Sequence, residues 1–270
     1  GLIVIGLGCE VNQVSGMAHS MDWASSDTFK MMTIQEVGGT RKTIQEGVEI
    51  IKQMLPILNK NKREKSPASE LILGLECGGS DAYSGMTANP ALGSAVDLLV
   101  KNGGTGTLAE TPEIFGAEHL LTRRAINEEV GQKIVNFIKW WQEDYLVKFE
   151  ENREQLHQDP SPGNKAGGLT TILEKSLGAV AKGGTTNLVD VYQFAENIKA
   201  KGFTFMNTPG YDVTSVTGLI AGGANMICFT TGRGSVFGCK PAPSIKLATN
   251  DDLYNRMTED MDVNCGKILL

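Results

Sequence analysis

The chain has 270 residues, with 25 Lys and Arg against 31 Asp and Glu, so its formal net charge is −6. This acidic balance argues against a general nucleic-acid-binding protein, which needs a basic face to neutralise phosphates. No apolar run reaches the roughly 18 residues that a membrane span requires. Hydrophobic residues make up 41% of the chain, a share typical of a folded globular protein. We therefore expect neither nucleic acid nor a membrane as a partner.

Short apolar runs that end in glycine alternate along the chain with stretches of helical spacing. This order is typical of an α/β fold in which helices connect parallel strands. Glycine accounts for 32 residues, a larger share than the usual value of about 7%, which indicates many tight turns. We predict a mainly parallel, Rossmann-like sheet flanked by helices, with ligand-binding loops at the carboxyl ends of its strands.

The first part of the chain is predicted to contain two strands and a helix. Residues 2–7 and 31–37 are apolar runs that predict strands. Residues 42–59 have helical spacing, which places four apolar side chains on one face. These side chains are Ile44, Val48, Ile51 and Leu55. We expect this segment to be part of a second, smaller α/β domain.

A polar, charged stretch over residues 59–67 ends in proline and is the best candidate for a domain boundary. Both ends of the chain lie within apolar runs, which predicts a fragment of a longer protein. We therefore divide the chain into residues 1–65 and residues 66–270.

The second part is predicted to alternate strands and helices. Its predicted strands cover 70–75, 106–109, 203–206, 225–230 and 244–248. Its predicted helices cover 90–102, 126–151 and 169–180, with a loop rich in proline and glycine over 160–168.

The five cysteines are an odd number and are widely spaced, which argues against a disulfide scaffold. We expect free thiols in a reducing compartment, the cytoplasm. Cys9 and Cys77 each follow a predicted strand directly, beside a glycine and a carboxylate. Backbone N–H groups in such a turn lower the pKa of a thiol, and the thiolate is the form that binds metal or attacks. Cys265 is a weaker third candidate, and a buried free cysteine is the alternative for each of them.

Two glycine-rich loops carry cations suited to an anionic ligand. Lys165 lies in a loop over 162–171 that lacks the P-loop spacing but offers a cation and backbone donors before a helix. Arg233 lies between two glycines after a strand, where its guanidinium can bind a carboxylate through two bonds. The alternative for the Lys165 loop is a plain turn at the start of a helix, and the alternative for Arg233 is an arginine exposed on the surface. The substrate-binding candidates are Arg233, Arg41, Asn164 and Thr231.

Recognisable catalytic motifs of other classes are missing from the sequence. It contains no HExxH and no GxSxG, and the run Gly6–Glu10 has only the start of a dinucleotide-binding GxGxxG. His119 lies in a predicted helical stretch, where a surface role is the alternative to catalysis. Zinc hydrolase, serine hydrolase and Rossmann dinucleotide chemistry are therefore disfavoured.

Five motifs resemble the altronate/galactarate dehydratase family. They are GLGCE (6–10), ECGGSDAYSGMTANPALG (76–93), PGNKAGGLTTILEKSLGA (162–179), FTTGRGS (229–235) and MDVNCG (261–266). The resemblance covers nearly the whole chain. It implies that residues 1–65 are the C-terminal part of a middle domain and residues 66–270 are most of a catalytic C-terminal domain. It also implies that the N-terminal domains of the same protein are partners of this chain, and we expect a homo-oligomer.

The resemblance implies iron-dependent removal of water from a sugar acid to give a 2-keto-3-deoxy acid. Details at 162–165, 237–241 and 264–266 are more similar to dehydratases of D-altronate than to those of galactarate. Galactarate dehydration and sulfite elimination from sulfolactate are the enzymatic alternatives. A sugar-acid-binding module without turnover is the non-enzymatic one.

Dehydration next to a carboxylate requires cations that stabilise the aci-carboxylate, together with a general base and a general acid. Fe²⁺ held partly by Cys9 and Cys77, with Cys265 as a third candidate, would act as the Lewis acid. A mononuclear ion and an iron–sulfur cluster both fit loop cysteines. The candidates for proton transfer, with their roles open, are Asp81, Lys165, His119 and Glu76.

Overall fold

The computed structural model describes residues 1–145 and 160–270. The chain divides into two compact units, Gly1–Lys65 and Ser66–Leu270. In the described part of the chain, no helix combines the length and apolar character needed to cross a membrane.

The first unit contains a two-stranded parallel sheet and three helices. Strands β1 (Leu2–Gly6) and β2 (Phe29–Thr33) pair in parallel. The helices are α1 (Val14–Ser20), α2 (Ile34–Val37) and α3 (Thr40–Leu58). The predicted strand over 31–37 is therefore right only as far as Thr33. The rest of that run forms α2, which ends at Gly38 with a positive φ of 95°, a backbone conformation that favours glycine.

The long helix α3 confirms the helix predicted over 42–59, but its apolar face is not covered within this unit. Ile44, Val48, Ile51 and Leu55 are all exposed. The first three line an open apolar groove together with residues of β1. The buried side of α3 is formed instead by Thr43, Gly47 and Met54.

The second unit is built on a seven-stranded sheet whose pairings are all parallel. Its strand order is β5-β6-β4-β3-β7-β8-β9. The strands are β3 (Ile72–Cys77), β4 (Thr105–Leu108), β5 (Leu188–Tyr192), β6 (Gly202–Met206), β7 (Met226–Thr231), β8 (Ser244–Ala248) and β9 (Val263–Asn264). The predicted class, an α/β fold with a mainly parallel sheet flanked by helices, is confirmed.

The helices of this unit connect the strands across both faces of the sheet. They are α4 (Ala88–Lys101), α5 (His119–Thr122), α6 (Glu128–Lys139), α7 (Pro162–Ala166), α8 (Ile172–Ala181), α9 (Asp212–Ala221) and α10 (Asp251–Arg256). The stretch predicted as one helix over 126–151 forms α6 and a π-helical segment, Trp140–Tyr145. Its last residues, 146–151, lie outside the described residues. The loop predicted over 160–168 contains the short helix α7, and β5, α9, α10 and β9 were not predicted.

Two strand glycines let helices approach the sheet closely. A Cβ on Gly74 of β3 would lie 2.5 Å from Ile227 and 3.2 Å from Leu219 of α9. A Cβ on Gly106 of β4 would lie 2.7 Å from Val96 of α4. These two helices cover opposite faces, because the strand order reverses at β3: β4 lies on one side of it and β7 on the other. In open parallel sheets, ligands bind at the carboxyl ends of strands where the order reverses.

Candidate active site

A cluster of buried acidic and thiol groups lies where β3 and β4 end. Glu76 and Cys77 are the last two residues of β3. Glu110 and Glu113 follow β4, the latter in a 3₁₀ turn, Thr111–Ile114. All four side chains are buried. Because adjacent parallel strands end at the same edge of the sheet, the topology itself brings these groups together.

Cys77 contacts both carboxylates of the neighbouring turn. Its Sγ lies 3.4 Å from Glu110 Oε2 and 3.2 Å from Glu113 Oε2, and its backbone N–H donates to Glu110 Oε2 at 3.1 Å. Burial raises the pKa of the Cys77 thiol well above its usual value, and the charge of Glu110 adds to this effect. The thiol is therefore protonated at neutral pH in this arrangement, and it donates to one of the two carboxylates.

Lys175 of α8 and Lys182, the residue that directly follows this helix, supply positive charge from the other side. Lys175 and Lys182 are seven residues apart, about two turns, so both point from the same face of the helix. Lys175 Nζ lies 2.5 Å from Glu113 Oε1, and Lys182 Nζ lies 3.1 Å from Glu110 Oε2. Burial acts to lower the pKa of Lys182, but the carboxylates around it, Glu110 and Glu113 among them, outweigh burial and raise it. Lys182 is therefore a charged counter-ion of the cluster, and Lys175 forms an ion pair with Glu113.

The turn that follows Lys182 is fixed by contacts outside the cluster. Asp97 of α4 accepts hydrogen bonds from the backbone N–H groups of Thr185 and Thr186 and from the Thr185 hydroxyl. Arg124 donates to the carbonyls of Gly183, Gly184 and Thr186, and it lies over the Phe203 ring at 4.3 Å. Burial lowers the pKa of Arg124 to about 10, which leaves it charged at neutral pH. We call this arrangement of Asp97, Arg124 and residues 183–186 the turn clamp.

Glu76 points toward α9 on the opposite face of the sheet from Cys77. Its Oε2 accepts a hydrogen bond of 2.8 Å from Ser215 of that helix. Asp212, in the first turn of α9, is half-buried, and its carboxylate lies where a Cβ on Gly78 would be. Burial raises the pKa of Glu76 well above its usual value, and Glu110 adds to this shift. Burial likewise raises the pKa of Asp212.

Two buried carboxylate oxygens of the cluster lack a donor in the described part of the chain: Glu76 Oε1 and Glu110 Oε1. Two sets of three groups each bring one ligand atom within 4.8 Å of one another. The first set is Cys77, Glu110 and Glu113, and the second is Glu76, Glu110 and Asp212. Four carboxyl groups and two lysines meet here, so the cluster has the surplus of acidic groups and the open oxygens that a cation requires.

Asp81 lies in a separate network. Its carboxylate accepts hydrogen bonds from the hydroxyls of Ser84 and Thr249 and from the side-chain amide of Asn250. These contacts tie the loop after β3 to the loop after β8. The predicted proton-transfer role of Asp81 stays a prediction, and its contacts are those of a residue that holds the loops together.

The predicted anion-binding loops lie side by side and next to the cluster. Arg233 is exposed, its backbone N–H donates to the carbonyl of Gly79, and its Nε is 4.0 Å from the position of a Cβ on Gly163. Lys165 is exposed on α7. Because Gly79 is two residues beyond Cys77, the arginine loop is anchored beside the end of β3.

Two polar candidates of these loops are buried. Asn164 donates to the carbonyl of Ser80 at 3.0 Å, and Thr231 accepts from the backbone N–H of Gly234 at 3.0 Å. Both therefore shape the loops, and direct contact with a substrate stays a prediction for each.

The remaining candidates lie away from the cluster or in the first unit. His119 is exposed on α5. Cys265 is buried after β9, three strands from β3, which corresponds to roughly 14 Å across the sheet. Cys9 and Arg41 are exposed in the first unit, and a metal shared between Cys9 and Cys77 stays a prediction.

Sequence reasoning missed five residues of the cluster. They are Glu110, Glu113, Lys175, Lys182 and Asp212. A usable signal was present for the first pair, because Glu110-Thr111-Pro112-Glu113 directly follows a predicted strand, as Glu76 and Cys77 do. The spacing of seven between the lysines was a second signal, since it places them on one helix face.

Two family models together match almost the entire chain. The model described as D-galactarate/altronate dehydratase, C-terminal, matches residues 68–270. The model of the second domain, D-galactarate dehydratase/altronate hydrolase, matches residues 1–59. The chain belongs to the D-galactarate/altronate dehydratase family. The resemblance inferred from the five motifs is thereby confirmed.

Three relatives of this family align over nearly the full chain. The altronate dehydratase of Bacillus subtilis is 41% identical over 98% of the chain, and that of Escherichia coli is 38% identical over 99%. The galactarate dehydratase (L-threo-forming) of Escherichia coli is 39% identical over 99%. The chain spans about half the length of each relative, 52%, 52% and 51%.

Proposed function

We propose that this chain carries the catalytic groups of a hydro-lyase that dehydrates a sugar acid to a 2-keto-3-deoxy acid. The observation that carries the proposal is the buried set of Cys77, Glu110 and Glu113 at the switch point of the sheet. The chain that contains it is 38–41% identical to proteins named altronate and galactarate dehydratase.

The donor set supports iron as the cofactor. One thiol sulfur and two carboxylates lie within 4.8 Å of one another, and Glu110 Oε1 lacks a donor in the described part of the chain. A thiolate favours iron over magnesium, because hard cations select oxygen ligands. A single iron fits this mixed set better than an iron–sulfur cluster, which is held by several cysteines. When bound, iron would act as a Lewis acid toward a substrate oxygen.

The residues of the chain itself would orient the substrate and the ligands. Arg233 and Lys165, on neighbouring glycine-rich loops, would bind the carboxylate of the sugar acid and stabilise the charge that develops there. Lys182 and Lys175 hold Glu110 and Glu113 in place. The elimination moves the C2 proton to a general base and gives a proton to the leaving C3 hydroxyl, and the predicted candidates for these two roles are Asp81, Lys165, His119 and Glu76.

The substrate we propose is D-altronate. The motif details at 162–165, 237–241 and 264–266 support it, whereas the overall identities to altronate and galactarate dehydratases are too similar to separate the two. Galactarate and sulfolactate remain the competing substrates.

The test is anaerobic purification with metal analysis, followed by assay on aldonates, aldarates and sulfolactate. We expect iron to copurify and D-altronate to be converted fastest, and we expect the Cys77→Ser variant to lose both iron and turnover. Binding of a sugar acid without turnover in the iron-loaded protein would show a binding module. Full iron content in Cys77→Ser would refute the proposed iron ligands.

A further inference from the structure

The carboxyl groups of Glu76 and Glu110 face each other in the interior. One carboxylate oxygen of each lies within 4.8 Å of the other. Both side chains are 0% exposed, and the oxygen Oε1 of each has no donor in the described part of the chain. Two ionised carboxylates cannot face each other in a dry site without a positive charge between them. Either a shared proton or a cation must therefore lie there.

A third carboxylate reaches the same place from α9. Asp212 brings an oxygen within 4.8 Å of the ligand oxygens of Glu76 and Glu110. The hydrogen-bond donors of this region act on the other oxygens, since Ser215 donates to Glu76 Oε2 and Lys182 to Glu110 Oε2. A shared proton needs two carboxylates, whereas three converge here and two of their buried oxygens lack a donor in the described part of the chain, which is the start of a coordination shell.

We propose that Glu76, Glu110 and Asp212 bind a second divalent cation, of the hard class to which Mg²⁺ and Mn²⁺ belong. The donors are all carboxylate oxygens, which such ions prefer. Glu110 belongs to both three-residue sets, so its carboxylate would be a ligand that the two ions share, as in other two-metal sites. The second cation site shares Glu110 with the proposed iron site, and its other two ligands, Glu76 and Asp212, are different.

The charge of the cluster permits two ions. With Cys77 ionised as an iron ligand, four carboxylates and one thiolate face two lysines, a net charge of −3. One divalent ion brings this group to −1 and two bring it to +1, so either number leaves the site within one charge of neutral. Glu76 is then a metal ligand, in place of the proton-transfer role predicted from the sequence. Asp212 is the half-buried member, so the second ion enters from its side.

The experiment measures Mn²⁺ binding by electron paramagnetic resonance on protein already loaded anaerobically with Co²⁺ in place of iron. Cobalt bound to a thiolate gives a charge-transfer absorption, which reports the Cys77 site independently of turnover. We expect one further Mn²⁺ per chain. Asp212→Asn is expected to weaken Mn²⁺ binding at least tenfold and to leave the cobalt–thiolate band in place. Cys77→Ser is expected to lose the band and keep Mn²⁺ binding.

Controls separate this proposal from misfolding and from the iron proposal. Asp252→Asn removes an exposed acid of α10 and should leave both signals unchanged. Glu76→Gln places an amide donor toward Glu110, so this variant should abolish Mn²⁺ binding while it keeps or raises the melting temperature of the metal-free protein. Absence of a second Mn²⁺ in the wild type, or equal Mn²⁺ affinity in Asp212→Asn, overturns the second site. Absence of the cobalt–thiolate absorption in the wild type would overturn only the proposed iron site at Cys77.

Discussion

Lys182 and Glu110 form an ion pair of 3.1 Å in which neither side chain is more than 1% exposed. A buried pair of this kind contributes little by its mere presence, since desolvation offsets the attraction, but removal of one partner leaves an uncompensated charge. The pair lies between the end of β4 and the end of α8, so it fixes the carboxylate that belongs to both candidate cation sets.

Replacement of Lys182 by Met is expected to lower the free energy of unfolding by about 3–5 kcal/mol, because the Glu110 carboxylate is left buried without its counter-ion. Urea unfolding of the metal-free protein measures this. The matched control is Lys133→Met, which removes a half-exposed partner of Asp190 and should cost less than about 1 kcal/mol. An equal loss of unfolding free energy in Lys182→Met and Lys133→Met would show that the buried pair matters no more than the exposed one.

Asp97 is expected to make stability depend on pH in acid. Burial acts to raise its pKa, but hydrogen bonds from Thr185 and Thr186 outweigh burial and lower it. Because the pKa of Asp97 is lower in the folded state, its ionised carboxylate stabilises the fold at any pH above the unfolded-state pKa of about 3.9. This stabilisation disappears as the pH falls through the folded-state pKa. Asp97→Asn should therefore be less stable than the wild type at pH 7, with a difference that narrows below about pH 4. Urea unfolding between pH 3.5 and 7 checks this, and a constant difference would argue against it.

Asp81→Asn is expected to reduce stability without removing metal. The substitution places an amide where Ser84, Thr249 and Asn250 need an acceptor, which should cost about 1–3 kcal/mol. Iron content, measured after anaerobic loading, should match that of the wild type. Glu113→Gln is the contrasting variant, because it should lose iron. A normal melting temperature with abolished turnover in Asp81→Asn would instead support the catalytic role predicted from the sequence.

Arg233→Ala tests the anion-binding loops. If the guanidinium binds the substrate carboxylate, its loss should remove about 2–4 kcal/mol of transition-state stabilisation, roughly a 30- to 1,000-fold fall in kcat/KM. The melting temperature should not change, because the side chain is exposed. Arg123→Ala, at an exposed position after α5, is the control and should retain activity. An unchanged kcat/KM in Arg233→Ala rules out this role.

The α/β class and the strand-end position of Cys77 could be predicted, because apolar runs followed by glycine report local structure. Glu76 and Cys77 were identified for that reason. Lys182 could not be identified from the sequence. A lysine near the end of a helix is expected to be exposed to solvent, and only the tertiary structure shows that this one is buried against Glu110. The exposure of the apolar face of α3 could not be predicted either. Helical periodicity shows which side chains share a face, but it does not show whether another element covers that face.

The turn clamp has a consequence for how the cluster responds to mutation. Asp97 and Arg124 contact neither the carboxylates nor the thiol, yet they fix the backbone at 183–186 that directly follows Lys182. Substitutions there would act on the position of the buried amine and leave the amine itself in place. Affinity for the proposed cations would therefore depend on residues that contact none of the proposed ligands. A library of variants at positions 97 and 124 offers a route to adjust metal preference while the coordinating residues stay unchanged.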